Sequence, residues 1–103
     1  MTDILPIACS LDASSLSDRL GEWRSLVATS VSSTELDANS VRFALHDSDD
    51  ALLAAASLGA REKECCPFFD VAVELEPTRR VLRLSVPVGA EAVLADFVDA
   101  LRP

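Results

Sequence analysis

The chain has 103 residues, half of them apolar and only 5% aromatic, and carries a formal net charge of −8. That length suits one domain with a core that needs no disulfide or metal staple, and the scarcity of aromatics points to a core of Leu, Val and Ala. Acids spread along most of the sequence, with no Lys/Arg-rich run to neutralise phosphates, argue against nucleic-acid binding by this chain alone.

No stretch approaches the roughly 18 apolar residues of a membrane span, and no charged leader precedes an apolar run. The expectation is a single domain over residues 1–103, cytoplasmic and without a membrane partner.

In chain order, Ile4-Leu5-Pro6-Ile7-Ala8-Cys9 predicts a first strand, at an edge or starting near Pro6 because proline donates nothing to a ladder. Asp12 offers an N-cap, and Leu16, Leu20, Trp23 and Val27 recur at helical spacing, predicting a helix over 13–28 with Trp23 in the core or at an interface. From Thr29 the chain turns to Ser, Thr and Val. Val41-Arg42-Phe43-Ala44-Leu45 then alternates as the second arm of a hairpin.

Asp47 or Ser48 can cap the next helix, with Asp49 and Asp50 favourable at its positive end, and Ala51 to Glu64 should follow as helix. Pro67 stops it. Phe69, Val71, Val73 and Leu75 alternate, Glu76-Pro77-Thr78-Arg79 turns, and Leu82, Leu84, Val86 and Val88 alternate again, predicting a second hairpin. Gly89 ends it. Val93, Leu94, Phe97, Val98 and Leu101 form the stripe of a last helix.

The order strand, helix, hairpin, helix, hairpin, helix implies an α+β fold, an antiparallel sheet with helices on one face, in a ferredoxin-like variant. The two hairpins echo each other, Glu35-Leu36-Asp37 against Glu74-Leu75-Glu76, as an internal duplication would leave them.

The chemistry of the chain concentrates in three cysteines, Cys9, Cys65 and Cys66. Consecutive Cα atoms lie about 3.8 Å apart whereas ordinary disulfides want roughly 4.4–6.8 Å. A Cys65–Cys66 bridge would thus be strained, and an odd count suits thiols in a reducing compartment. The pair sits at a helix C-terminus, where the macrodipole disfavours a thiolate; Glu62 and Glu64 act in the same direction, and Arg61 and Lys63 oppose it.

His46, the only histidine, lies before a helix of about 20 Å whose far end carries the pair, so it is a poor base for either thiol. Only a new helical turn opened by Pro67, making Cys66 an N-cap, would supply activating N–H groups. A thiol-dependent redox enzyme is therefore the third-ranked reading.

A soft cation asks less of the thiols, because it displaces their protons itself. Cys9, Cys65 and Cys66 together would form an all-sulfur site, short of zinc's usual four ligands and suited to Cu(I), Hg(II) or As(III). Glu62, Glu64 and Met1 are unconvincing extra ligands; Glu62 and Glu64 read more simply as a solvated face. The competing reading is quiet burial, since cysteine packs as a small hydrophobe, in an interaction module that forms a homodimer through the Trp23 face or a sheet edge. Phe68 and Phe69 read as core anchors.

The blocks Ile7-Ala8-Cys9-Ser10-Leu11, Trp23-Arg24-Ser25-Leu26, Glu64-Cys65-Cys66-Pro67-Phe68-Phe69 and Val88-Gly89-Ala90 resemble those of a small uncharacterised bacterial family. Its members occur as stand-alone chains or as a domain appended to MerR-type metal-responsive regulators. The resemblance spans nearly the whole chain and implies heavy-metal handling, with Cys9, Cys65 and Cys66 as the matching positions. The helix-turn-helix part has no counterpart in this sequence, so transcriptional regulation by this chain alone is not expected.

Overall fold

The computed structural model describes residues 13–66 and 68–102, and the expected strand Ile4–Cys9, Asp12 and Pro67 lie outside them. Seven elements follow in order: α1 (Ala13–Ser30), β1 (Val31–Leu36), β2 (Ser40–Leu45), α2 (Asp49–Cys65), β3 (Asp70–Leu75), β4 (Arg80–Ser85) and α3 (Glu91–Ala100). No helix among the described residues is long and apolar enough to cross a membrane.

The four strands form one sheet in the order β1-β2-β4-β3, every neighbouring pair antiparallel. Since β2 and β3 both run against β4 between them, β2-α2-β3 is a split β-α-β crossover, the unit from which ferredoxin-like sheets are built. The fold is the expected α+β class.

Pairing fixes which residues share a face. Phe43 stands opposite Leu82 and Val41 opposite Leu84, all four less than 2% exposed, and the helices cover this side. Trp23 of α1 reaches Phe43 with ring centroids 6.0 Å apart, Phe97 of α3 meets Trp23 edge-on at 5.4 Å, and Gly59 lets α2 approach until an added Cβ would lie 3.0 Å from Val71 Cγ1.

The opposite face is a lattice of charge. Arg42 reaches Glu74 at 3.1 Å and Glu76 at 2.7 Å, Arg83 reaches Glu74 at 3.3 Å, and Arg79 links Glu76 at 2.7 Å to Glu35 at 3.4 Å. Opposite charges placed cross-strand stabilise a solvated sheet face.

Ser48, rather than Asp47, caps α2: its side chain accepts from the Ala51 N–H, with Asp49 and Asp50 in the first turn. One expectation fails at the second hairpin. Val88 lies beyond β4 in the turn before α3 and is 89% exposed, while Val73 and Leu75 keep their place in the alternation but are exposed. Among the described residues β3 is a sheet edge and nothing covers its far half, which exposes Val73 and Leu75. Gly89, at φ 101°, occupies the left-handed region that a Cβ disfavours.

The aromatics contribute more to the core than their number suggested. All five of them form one chain of ring contacts, Phe68–Phe69–Phe97–Trp23–Phe43. Each such pair adds about 0.5–1.5 kcal/mol beyond area burial, and Trp23 and Phe43 head the largest fully buried side chains.

Candidate metal centre

The buried stripe of α2 runs Ala51, Ala55, Leu58, Gly59, Glu62, Cys65, spacings of three and four that keep one face inward. Its last turn is where chemistry replaces hydrocarbon. Glu62 (4% exposed), Cys65 (9%) and Cys66 (2%) lie together, and one donor atom from each falls within 4.8 Å of the others. The two sulfurs are 3.7 Å apart; Cys65 Sγ is 3.6 Å from the Glu62 carbonyl oxygen and 3.8 Å from Glu62 Oε2.

A buried carboxylate needs partners, since an unpaired charge in a core costs several kcal/mol. Both come from α1, one helical step of four residues apart. The Trp23 indole N–H donates to Glu62 Oε1 at 2.8 Å, and Arg19 Nη1 donates to the same oxygen at 3.4 Å and to Cys65 Sγ at 3.3 Å. Partial burial works against the Arg19 charge, but Cys65 and Glu62 outweigh it and raise the guanidinium's pKa above the ordinary arginine value. Arg19 also touches Glu22 at 3.5 Å, which a second cation, Arg61, holds at 2.8 Å.

The structure thus brings Cys65 and Cys66 together and revises their surroundings. Glu62 is a buried member of the cluster, not part of a solvated face; Glu64 alone is exposed. Arg19 brings a cation to Cys65, while Arg61 faces Glu22. Trp23 is fully buried, which removes it as a homodimer contact surface. Cys66 is no N-cap: the Phe69 N–H closes a turn onto the Cys66 carbonyl at 3.0 Å and β3 follows. His46 is exposed at the opposite end of α2, some 25 Å away along a 17-residue helix. Cys9 lies outside the described residues.

Glu62 and Arg19 carried a signal that sequence reading passed over. Glu62 stands four residues after Leu58 and three before Cys65, on the apolar stripe itself, and Arg19 stands four before Trp23. An acid on one buried stripe and a base on another suggest a pair once the helices are known to be antiparallel. They are: Arg19 meets Glu62, Glu22 meets Arg61, and farther along Thr29 lies across a groove from Ala54.

Chemically the cluster offers two soft sulfurs and one hard oxygen, buried at the end of α2 with a cation from α1 beside them. Neither known family models nor characterised proteins nor solved structures match this chain.

Proposed function

We propose that this chain binds a soft thiophilic metal or metalloid ion, of the Cu(I), Hg(II) or As(III) type, through Cys9, Cys65 and Cys66, and serves metal handling or resistance in the cytoplasm. The observation that carries the reading is the 3.7 Å separation of two buried sulfurs beside the Glu62 carboxylate. Sulfurs bound to one ion at about 2.3 Å each must lie within about 4.6 Å of each other, and these do so without rearrangement. Arg19, 3.3 Å from Cys65 Sγ, supplies positive charge where a thiolate would form.

Chain length supports Cys9 as the third ligand. Arg19, in the N-terminal half of α1, lies over the C-terminal end of α2. From Arg19 back to Ala13 is about 9 Å of helix, and the four residues from Ala13 to Cys9 can span up to about 14 Å. The resemblance to domains appended to MerR-type regulators agrees with this reading.

Titration of the reduced chain with Hg(II), Cu(I) and arsenite in turn, followed by thiol reagent, tests it. With at least one of the three, reactive thiols should fall from three toward zero at one equivalent, and Cys9→Ser should weaken retention of that ion against a competing monothiol by orders of magnitude. Unchanged thiol reactivity refutes the proposal.

A further inference from the structure

The sulfur pair also carries information about which ion it can clasp. With bonds of about 2.3 Å, a linear S–M–S unit requires sulfurs about 4.6 Å apart. The observed 3.7 Å corresponds instead to an S–M–S angle of about 107° with bonds of that length. The vicinal pair is therefore set for bent coordination. Opening it by about 0.9 Å, to the linear separation, would disturb the last turn of α2 and the Arg19 and Glu62 contacts that brace it.

Charge and ligand number narrow the choice further. Arg19 is shared between Glu62 Oε1 at 3.4 Å and Cys65 Sγ at 3.3 Å and so offsets only part of the negative charge; an ion enters most cheaply when it, its two thiolates and any further ligand sum to zero. A Cu(I) bis-thiolate is left with one negative charge. Zinc balances two thiolates but needs two more donors; Glu62 is the one other donor grouped with the sulfurs among the described residues, and its Oε1 is held by Trp23 and Arg19. Hg(II) balances charge but prefers the linear arrangement that the spacing opposes. A trivalent, pyramidal centre is bent, needs only three ligands, and sums to zero with two thiolates and one hydroxide.

We infer, resting on the thiophilic reading above, that the site is built for trivalent arsenic or antimony, taken up as the neutral hydroxide by Cys65 and Cys66. The exchange is As(OH)3 + 2 RSH → (RS)2As–OH + 2 H2O. Two As–O bonds break and two As–S bonds form, the thiol protons leave in the two waters, and no electron is transferred. The remaining hydroxyl can donate to Glu62 Oε2, 3.8 Å from Cys65 Sγ.

The test compares arsenite and Hg(II) on the reduced full chain, each in competition with excess glutathione, for the wild type and Cys66→Ser. Bidentate capture should make wild-type arsenite retention about 100-fold or more stronger than that of the variant, the usual scale of a linked second contact, and leave Hg(II) retention changed by less than about 10-fold.

X-ray absorption on the arsenite-loaded wild type, which needs no variant to fold, should report at least two sulfurs on one arsenic. Arsenite bound through a single sulfur, or Hg(II) held linearly by both cysteines with the larger loss in Cys66→Ser, overturns the arsenic assignment while leaving thiophilic binding intact. Retention of neither ion overturns both.

Discussion

Trp23→Phe tests whether the thiol site is held up by the Glu62 carboxylate and its indole partner. Trp23 is 0% and Glu62 4% exposed, and the bond between them is 2.8 Å, so removing the indole leaves Glu62 Oε1 with the longer Arg19 contact of 3.4 Å. A hydrogen bond to a charged acceptor in this setting contributes about 1.5–3 kcal/mol, and the smaller ring adds a cavity cost of about 1–2 kcal/mol. The variant should lose about 2.5–5 kcal/mol, which for a domain of this size lowers Tm by at least about 10 °C.

The hydrogen-bond part is isolated by a double-mutant cycle with Glu62→Met, which keeps length but cannot accept. Urea unfolding should be followed by far-UV circular dichroism, because Trp23 is the only tryptophan and fluorescence is lost with it. With unchanged m-values, the double variant should be less destabilised than the sum of the singles by about 1.5–3 kcal/mol. Coupling below about 0.5 kcal/mol would refute the claim that this bond fixes the carboxylate beside the sulfurs.

Two further expectations concern the scaffold. Gly59→Ala gains up to about 1 kcal/mol of helix propensity, but its Cβ would lie 3.0 Å from Val71 Cγ1 and 3.3 Å from Leu82 Cδ1, an overpacking cost of about 1–3 kcal/mol. Chemical denaturation should show net destabilisation of about 1 kcal/mol, and the Val71→Ala background should reverse the sign; a more stable single variant would contradict the close approach of α2 to the sheet. On the charged face, the hydrogen bond from Arg79, against a smaller effect of burial and with help from Arg42, lowers the Glu76 pKa below 4.5. A depressed acid stabilises the fold above its unfolded pKa and loses that contribution as pH falls through the folded value. Tm should therefore drop as pH goes below about 4.5, less steeply in Glu76→Gln; parallel pH profiles would argue against it.

Much of the architecture was legible because local rules and tertiary packing agree. The helical spacing of Leu20, Trp23 and Val27, the Ser48 cap before Asp49 and Asp50, and the alternation of Val41, Phe43 and Leu45 each prefer the conformation the fold adopts. Legibility failed where a residue's neighbours come from elsewhere in the chain. The alternation of Val73 and Leu75 predicts their strand but not their exposure, because which described strand stands at the edge is set by pairing and not by pattern.

The same division runs through the site. By itself the sequence determined that two soft sulfurs stand side by side at the end of a helix, beside acids and far from the only histidine, since covalent adjacency and helical rise settle those relations. Only the tertiary structure decided that Glu62 turns inward with them, that Arg19 and Trp23 close over it, and that the sulfurs stand 3.7 Å apart. Those contacts join residues 39 to 46 positions apart, and no local preference encodes them: they arise from two antiparallel helices burying their stripes against one sheet.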